Sequence, residues 1–200
     1  MKKTFEVNMD HYRQQLKLYF MKLSADTVQS ELDELIQQFS YEVLPKKELL
    51  LEAEQSSDTV YFICKGLVRI YYVKEEKEIT NWFIQENMMF AATYSILTGQ
   101  PNYSSYETLE ETHVLKIKYA VLESFYTRYH SLEHMGRKLI QAYYGAFMKK
   151  TFDVLFLSAE ERYHLFVKDH ADLLNRVPLR YVASYLGITQ ETLSRLRSKH

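Results

Sequence analysis

The chain has 200 residues, 46% of them hydrophobic, which is enough for one large domain or two unequal ones. No window of about 18 consecutive apolar residues occurs and a polar segment follows the initial MKK, so we expect neither a membrane span nor a secretory signal but a cytoplasmic protein. The single cysteine, Cys64, excludes a disulfide framework or a cysteine-ligated metal cluster built from this chain alone, and it is predicted to be a small buried hydrophobe.

The first part of the chain is predicted to be helical up to residue 40, with Ser24 as an N-cap. Between Tyr41 and about Lys118 the pattern changes to short runs rich in Val, Ile, Tyr and Phe, separated by polar turns. Such runs indicate a compact antiparallel β-sandwich or roll, because helices long enough for a parallel arrangement do not separate them. The apolar face of the last helix before the strands is formed by Val28, Leu32, Leu35, Ile36 and Phe39.

Helical periodicity returns after Tyr119 and predicts a helix of about 25 residues from position 130 to 157. Its apolar stripe could pack across the chain's own β-domain or against the same helix of a second copy. We favour the second arrangement, because Gly136, Gly145 and Ala146 would permit close approach of two helices. A further helix is predicted to follow, capped by Ser158 with Glu161 three residues on. The stripe comprises Leu132, Met135, Leu139, Tyr143, Ala146, Phe147, Val154 and Leu157.

Residues 176–200 are predicted to form two short amphipathic helices hinged at Gly187, whose backbone suits a tight turn. Pro178 fits the first turn of the first helix, and the Thr189 hydroxyl can cap the second. Five basic residues face one acidic residue here, a balance of +4, while the other 175 residues carry 20 basic and 25 acidic side chains. A basic tip on an acidic body predicts a polyanionic partner. The predicted apolar face of the first helix comprises Leu179, Val182, Ala183 and Leu186, and Ile188 is expected to pack into the turn between the two helices.

The second of these helices has an apolar underside, Leu193 and Leu196, and a polar arc of about 140°. Arg can bind guanine through two hydrogen bonds, Gln can pair with adenine, and Glu can accept from cytosine. Residues at the flanks can contact phosphate. The arc therefore predicts a surface that reads double-stranded DNA, the alternative being a helical hairpin with a solvated face. The candidate DNA-binding residues are Gln190, Glu191, Ser194, Arg195, Arg180, Thr189, Thr192 and Arg197, with Ser198 also on the arc.

The segment VASYLGITQETLSRLR resembles the helix-turn-helix of the Crp/Fnr family of bacterial transcription regulators, and TVYFICKGLVRIYYV resembles the family's β-roll with its strand-turn glycine at Gly66. The resemblance is strongest to the short members common in Bacteroidetes. It implies an α+β fold: an N-terminal double-stranded β-helix, jelly-roll-like and related to cyclic nucleotide-binding domains, over residues 1–120, a dimerisation helix over 121–157 and a helix-turn-helix domain over 158–200.

The same resemblance implies a homodimer that reads an inverted repeat, with RNA polymerase as a further partner and no enzymatic activity. Gln190, Glu191 and Arg195 would be the base readers by analogy. No cofactor and no metal are expected, since iron–sulfur members need several cysteines and a haem member needs an axial ligand, for which His113 is the available candidate.

The predicted effector pocket departs from the family pattern. Cyclic-nucleotide-binding members carry a Gly-Glu pair and, about ten residues later, an Arg that neutralises the phosphate. Here Ala91 and Ala92 replace the pair, and Asn102 or Tyr103 stands at the Arg position. Cyclic AMP or cyclic GMP bound in the usual way is therefore not expected, because the buried phosphate would lack a counter-charge. A less charged effector or a packed core are the alternatives, and we favour the core for Tyr94, Tyr103 and Tyr106.

Two other functions fit parts of the sequence. HSLEH, from His130 to His134, matches the H-x-x-E-H pattern of some zinc peptidases, which would also require a third ligand and an open cleft. The chain could also be an interaction protein that has kept the shape of the C-terminal helices and lost DNA binding. We expect a DNA-binding regulator, since no packing requirement explains Gln190, Glu191 and Arg195 together.

Overall fold

The computed structural model describes residues 2–198, with side chains from residue 9 onward, so Lys199 and the outermost predicted bounds, residues 1 and 200, lie outside the described residues. The N-terminal part of the chain contains helices α1 (Lys2–Leu23) and α2 (Gln29–Gln37). The strands follow as β1 (Ser40–Leu44), β2 (Leu49–Leu51), β3 (Thr59–Lys65), β4 (Val68–Lys74), β5 (Lys77–Ile84), β6 (Met89–Ala91), β7 (Ser105–Thr108) and β8 (Thr112–Lys118), with α3 (Thr93–Thr98) between β6 and β7. The remaining helices are α4 (Tyr119–Arg128), α5 (His130–Phe156), α6 (Ala159–His170), α7 (Leu173–Arg176), α8 (Leu179–Leu186) and α9 (Gln190–Ser198).

The strands form the predicted antiparallel β-sandwich. One sheet has the order β1-β8-β3-β6 and the other β2-β7-β4-β5, and every pairing is antiparallel. Each of the eight strands contributes an apolar residue to the layer between the sheets, and this shared layer holds them together. The layer contains Leu44, Leu51, Ile63, Val68, Ile84, Phe90, Tyr106 and Val114.

Gly66 makes the turn between β3 and β4. Its φ is +110°, and a Cβ at this position would lie 2.6 Å from Thr112 Oγ1 and 2.7 Å from Thr112 Cα. Both the backbone conformation and the close approach require glycine. The predicted strand-turn role of Gly66 is therefore confirmed. The helix α3 was not predicted, because its six residues, TYSILT, are too few to show helical periodicity.

The N-terminal helices cover the outer face of the β1-β8-β3-β6 sheet together with α4 and the first half of α5. Leu16, Phe20 and Leu35 from the helices pack with Phe62 and Leu115 from the strands. Cys64 is buried in the same cluster, as predicted, and burial raises the pKa of its thiol to about 12. This keeps the thiol protonated and unreactive at neutral pH.

The predicted N-cap at Ser24 is wrong. Helix α2 begins at Gln29, and Val28 is its N-cap, without a side-chain capping hydrogen bond. The backbone N–H of Ser24 instead donates to Phe20 O at 3.0 Å, so Ser24 closes the preceding helix. Its side chain is buried in the connection between α1 and α2.

The long helix α5 has two halves with different surroundings. In the first half Leu132, Met135 and Leu139 are buried against the chain's own core, which is the arrangement that sequence analysis did not favour for the stripe. From Ile140 to Leu155 an outer stripe of apolar side chains faces solvent, each of them more than half exposed. We define the outer stripe as Ile140, Tyr144, Phe147, Val154 and Leu155, which span about 100° of the helix circumference.

The C-terminal helices share a separate core. Phe166 of α6, Leu173 of α7, Val182 of α8 and Leu193 of α9 meet there with Phe83 of β5. The capping box at the start of α6 is formed as predicted: the Ser158 hydroxyl accepts from Glu161 N, and the Glu161 carboxylate accepts from Ser158 N at 2.8 Å. The prediction for Pro178 is off by one position, since α8 begins at Leu179 and Pro178 is its N-cap.

Candidate nucleic-acid interface and effector pocket

Helix α9 is held in place by its buried apolar face and by the turn that precedes it. Leu193 and Leu196 are buried in the C-terminal core, and Gly187 at φ +66° makes the turn from α8. Ile188 N donates to Ala183 O at 3.0 Å, which closes that turn. The Thr189 hydroxyl accepts from Thr192 N at 3.2 Å, so Thr189 is the predicted N-cap. The sequence pattern thus places one face of α9 inward and leaves the opposite face free.

The polar arc of α9 is exposed over its whole length. Thr192 at the flank is half-buried, and Arg195 Nη2 donates to its hydroxyl at 3.3 Å. The pKa of Glu191 is lowered, because its carboxylate accepts hydrogen bonds from its own backbone N–H and from Thr189, so this group is ionised at neutral pH. The exposed residues of this surface are Gln190, Glu191, Ser194, Arg195, Arg197 and Ser198, with Arg180 exposed on α8.

Arg176 does not belong to this basic surface. Its guanidinium lies 2.9 Å from Glu86 and 2.6 Å from Glu110, both in loops of the β-sandwich, and 3.5 Å from Asp172. The hydrogen bond with Glu110 is the main reason that the pKa of Arg176 is raised. The predicted tip charge of +4 therefore includes one residue whose charge is neutralised within the chain. Arg176 instead ties the C-terminal helices to the sandwich.

Helix α8 is docked on the sheet through a buried cation. Arg69 of β4 is fully buried and lies 3.6 Å from the ring centroid of Tyr181 and 4.3 Å from that of Tyr71. The Glu78 carboxylate lies 2.6 Å from the Arg69 guanidinium and balances its charge. Next to it, Thr80 N donates to Ser184 Oγ at 2.9 Å. This contact was not predicted, although an arginine inside the apolar strand VRIYYV is a visible signal of a buried partner.

The pocket predicted from the family pattern is closed by aromatic packing. Tyr61 and Phe90 stack with ring centroids 4.9 Å apart, and Phe90 and Tyr106 with centroids 5.9 Å apart. The Tyr106 hydroxyl donates to Ala91 O at 3.3 Å. The space left beside them is about 10 Å³, room for about one water molecule. A cyclic nucleotide would have to displace this stack.

The four candidate pocket residues do not converge. Ala91 and Ala92 border the closed space, but Asn102 is buried in a loop, where its Nδ2 donates to Ser104 O at 2.8 Å. Tyr103 is 71% exposed and points away. The preferred core assignment is correct for Tyr106 and wrong for Tyr94 and Tyr103, whose hydroxyls meet at 3.4 Å on the surface. Tyr94 lies on α3 and Tyr103 in the loop between α3 and β7, and both rings are exposed.

The residues of the remaining candidate sites are held in other contacts. His113 Nδ1 lies 2.6 Å from the Tyr41 hydroxyl and its Nε2 lies 3.3 Å from Glu111, so both ring nitrogens of the haem candidate are engaged. His134 Nδ1 lies 2.7 Å from the Arg137 guanidinium. Within residues 9–198, whose side chains the structure describes, no group of three His, Cys, Asp or Glu side chains could hold a metal ion. The described residues therefore offer the zinc interpretation no support.

No helix in the described part of the chain is long and apolar enough to cross a membrane.

Comparisons with known proteins show what the chain is similar to. Residues 41–129 match the cyclic nucleotide-binding domain, which is somewhat under half of the chain. A search of curated protein sequences gives no match. FixK2 from Bradyrhizobium japonicum has a similar structure, with a TM-score of 0.67 at 21% identity over 80% of this chain and 83% of that chain.

Two further solved structures extend this likeness. A mutant of CooA from Carboxydothermus hydrogenoformans gives a TM-score of 0.66 at 18% identity, over 84% of this chain and 78% of that chain. A transcriptional regulator assigned to the Crp/Fnr family from Eubacterium rectale gives 0.67 at 14% identity, over 88% of this chain and 85% of that chain. At these identities the likeness concerns the fold: an antiparallel sandwich of the cyclic nucleotide-binding type followed by C-terminal helices.

Proposed function

We propose that the protein is a homodimeric, sequence-specific DNA-binding transcription regulator of the Crp/Fnr type, without enzymatic activity. The observation that carries the proposal is the polar face of α9, exposed along its length while Leu193 and Leu196 anchor the opposite face. Gln190, Glu191 and Arg195 are free to meet base edges in a major groove. Arg180, Thr192 and Arg197 flank them, where contact with phosphate would fix the position of the helix. The overall likeness to Crp/Fnr structures supports this assignment.

The outer stripe of α5 supports dimerisation. Isolated apolar side chains on a surface are ordinary, but here five of them follow one another along a single helix face. A second copy of the same stripe would cover it in a two-fold symmetric contact. Two α9 helices related in this way would read an inverted repeat with half-site centres about 34 Å apart.

The domain division that follows is a sandwich sensor unit over residues 1–120, a dimerisation helix over 121–157 and a DNA-binding unit over 158–200. The closed space beside Tyr106 supports an altered effector pocket that does not take cyclic AMP or cyclic GMP in the family manner. RNA polymerase is a further partner by analogy with the family, and the cytoplasm is the corresponding location.

The test is selection of random duplex DNA by the purified full-length protein at about 150 mM salt, where phosphate binding without sequence preference is weakened. We expect enrichment of a two-fold symmetric site. If a folded dimer enriches no sequence, either a missing effector holds the two α9 helices apart or the chain is an interaction protein that has lost DNA binding.

Arg195→Ala tests the base-reading role on the selected site. We expect a loss of about 1 to 3 kcal/mol in binding free energy and a relaxed preference at one base pair of each half-site. Arg128→Ala is the matched control, because Arg128 is also exposed but lies on α4 and pairs with Glu34. Equal weakening on every sequence would make Arg195 a phosphate contact instead.

A further inference from the structure

A cavity of about 280 Å³ lies where the sandwich, α5 and the C-terminal helices meet. We call it the junction cavity. Its walls come from β5, α5, α6 and α8, and four aromatic side chains line it: Trp82, Phe83, Phe166 and Tyr185. The volume is close to the lower end of the range of about 300 to 1,000 Å³ that small-molecule sites occupy, so a compound with a single ring fits.

Lys150 brings an amine into this apolar wall. Its Nζ lies 4.0 Å from the ring centroid of Tyr185 and 5.0 Å from that of Trp82, and it donates a hydrogen bond to Asn81 O. Among the described residues no carboxylate pairs with Lys150, because the nearby Asp153 is bound by Lys149 at 2.8 Å. Burial lowers the pKa of Lys150 to about 7, and an anion beside the amine would oppose this effect.

The net charge of the lining side chains indicates which ligand charge the cavity can balance. The lining contains three basic side chains, Lys149, Lys150 and Arg162, and two acidic ones, Asp153 and Asp169, which leaves one positive charge uncompensated when Lys150 is protonated. Arg162 is held by backbone, since it donates to Leu186 O at 3.0 Å and to Leu157 O at 2.5 Å. A doubly charged phosphate would therefore be under-compensated, whereas a single carboxylate is matched.

A second lining group also lacks a partner. His170 Nδ1 is buried and has no hydrogen-bond partner, while its ring lies 5.4 Å from the Phe166 ring. Burial lowers the pKa of His170, so the imidazole is neutral and can donate or accept one hydrogen bond. The cavity thus combines an aromatic wall, one unpaired cation and one unpartnered polar atom.

We propose that the junction cavity binds a small aromatic monocarboxylate, with Lys150 as its counter-ion. This site is separate from the closed space beside Tyr106. Because the ligand would contact β5, α5, α6 and α8 together, it would favour the arrangement in which α8 is docked on the sheet. An effect on DNA affinity rests on the proposed function, but binding of the ligand does not.

The test titrates the full-length protein with benzoate, phenylacetate and 4-hydroxyphenylacetate, each compared with its neutral amide. Trp82 is the single tryptophan of the chain and lines the cavity, so its fluorescence reports binding directly. The shift in unfolding temperature is measured in parallel. We expect a saturable response to at least one acid and an affinity about tenfold weaker for the amide, since hydrogen bonds to charged groups are the stronger ones.

Lys150→Met separates the charge from the shape of the cavity. This variant keeps a long apolar side chain, so we expect the acid to bind about tenfold more weakly and the amide to bind as before. Lys168→Met is the control, because Lys168 is exposed on α6 and does not line the cavity. It is expected to leave both affinities unchanged.

Three results would overturn the proposal. One is the absence of a saturable response to all three acids in both measurements. Another is equal affinity for acid and amide, or an acid preference that persists in Lys150→Met. The last is a Trp82 emission that changes when the dimer is diluted into monomers but not when an acid is added. That result would show that the partner's helix, and not a small molecule, fills the cavity. No DNA enters these titrations, so their failure is distinguishable from failure of the proposed function.

Discussion

The second half of α5 is richer in apolar residues than the first half, yet it is the half that is more exposed. In the first half Leu132 and Met135 are fully buried against the strands and α1, whereas in the second half Phe147 and Leu155 are more than half exposed. The first half is therefore part of the fold of one chain. The second half offers an apolar surface that a single chain leaves uncovered, and this difference is the structural basis for the proposed dimer.

The largest expected effect is a difference in unfolding free energy between matched substitutions in the two halves of α5. Leu132→Ala removes a fully buried side chain and is expected to lower the free energy of unfolding by about 2 to 5 kcal/mol. Leu155→Ala is the matched change in the exposed half, where about 0.5 kcal/mol or less is expected in the monomer. Urea unfolding at a protein concentration low enough to keep the chain monomeric measures both. Similar losses in the two variants would contradict the comparison.

Dimerisation itself is tested on the outer stripe. Phe147→Glu places a charge in the middle of the proposed contact and is expected to raise the dimer dissociation constant at least about 30-fold, which corresponds to about 2 kcal/mol. Phe152→Glu is the control, since Phe152 is also exposed but lies about 140° from Phe147 around the helix and about 60° beyond the edge of the outer stripe at Leu155. Sedimentation equilibrium measures both constants. A dimer weakened by the control alone would place the contact on another face.

The two glycines of α5 sharpen the same comparison. In Gly136→Ala the new Cβ would lie 2.7 Å from Tyr126 Cζ, so we expect a loss of about 1 to 3 kcal/mol in unfolding free energy. Gly145 has no atom within 4 Å of such a Cβ, so Gly145→Ala is expected to stabilise the helix by about 0.5 to 1 kcal/mol. Thermal unfolding measures both. A weaker dimer in Gly145→Ala would instead show that helices approach each other at this glycine.

The last expected effect is a pH dependence in the second half of α5. Burial lowers the pKa of Lys150 to about 7, below the ordinary value of 10.5, so between these values the unfolded chain binds a proton that the folded chain does not. Stability should therefore rise as the pH increases from about 7 towards 10, and Lys150→Met should flatten this slope. His170 contributes only at lower pH, because its pKa is lowered from 6.5. The free energy of unfolding is measured across this pH range for the unchanged protein and for Lys150→Met. Equal slopes against pH in the two proteins would contradict the prediction. The charged groups that also line the cavity are Lys149, Asp153, Arg162 and Asp169.

Local patterns predicted local features well. The spacing of Leu193 and Leu196, the freedom of Gly187 and the hydroxyls of Ser158 and Thr189 act within one or two helical turns, and the structure has them as predicted. Ser24 shows where such signals fail, because a serine just after one helix and just before another suits either end. The roles of Arg69 and Arg176 could not be predicted, since their partners lie far along the chain.

The sequence by itself determined the α+β composition, the alternating strands, the length of α5 and the polar arc of α9, because each depends on periodicity and on short-range hydrogen bonds. Only the tertiary structure decided that Gly136 serves contact with Tyr126 within one chain, that Tyr61, Phe90 and Tyr106 close the space beside Ala91, and that Lys150 and Trp82 line one cavity. These features arise where elements distant in sequence pack together. Packing of that kind depends on the shape of the assembled chain and leaves no local pattern.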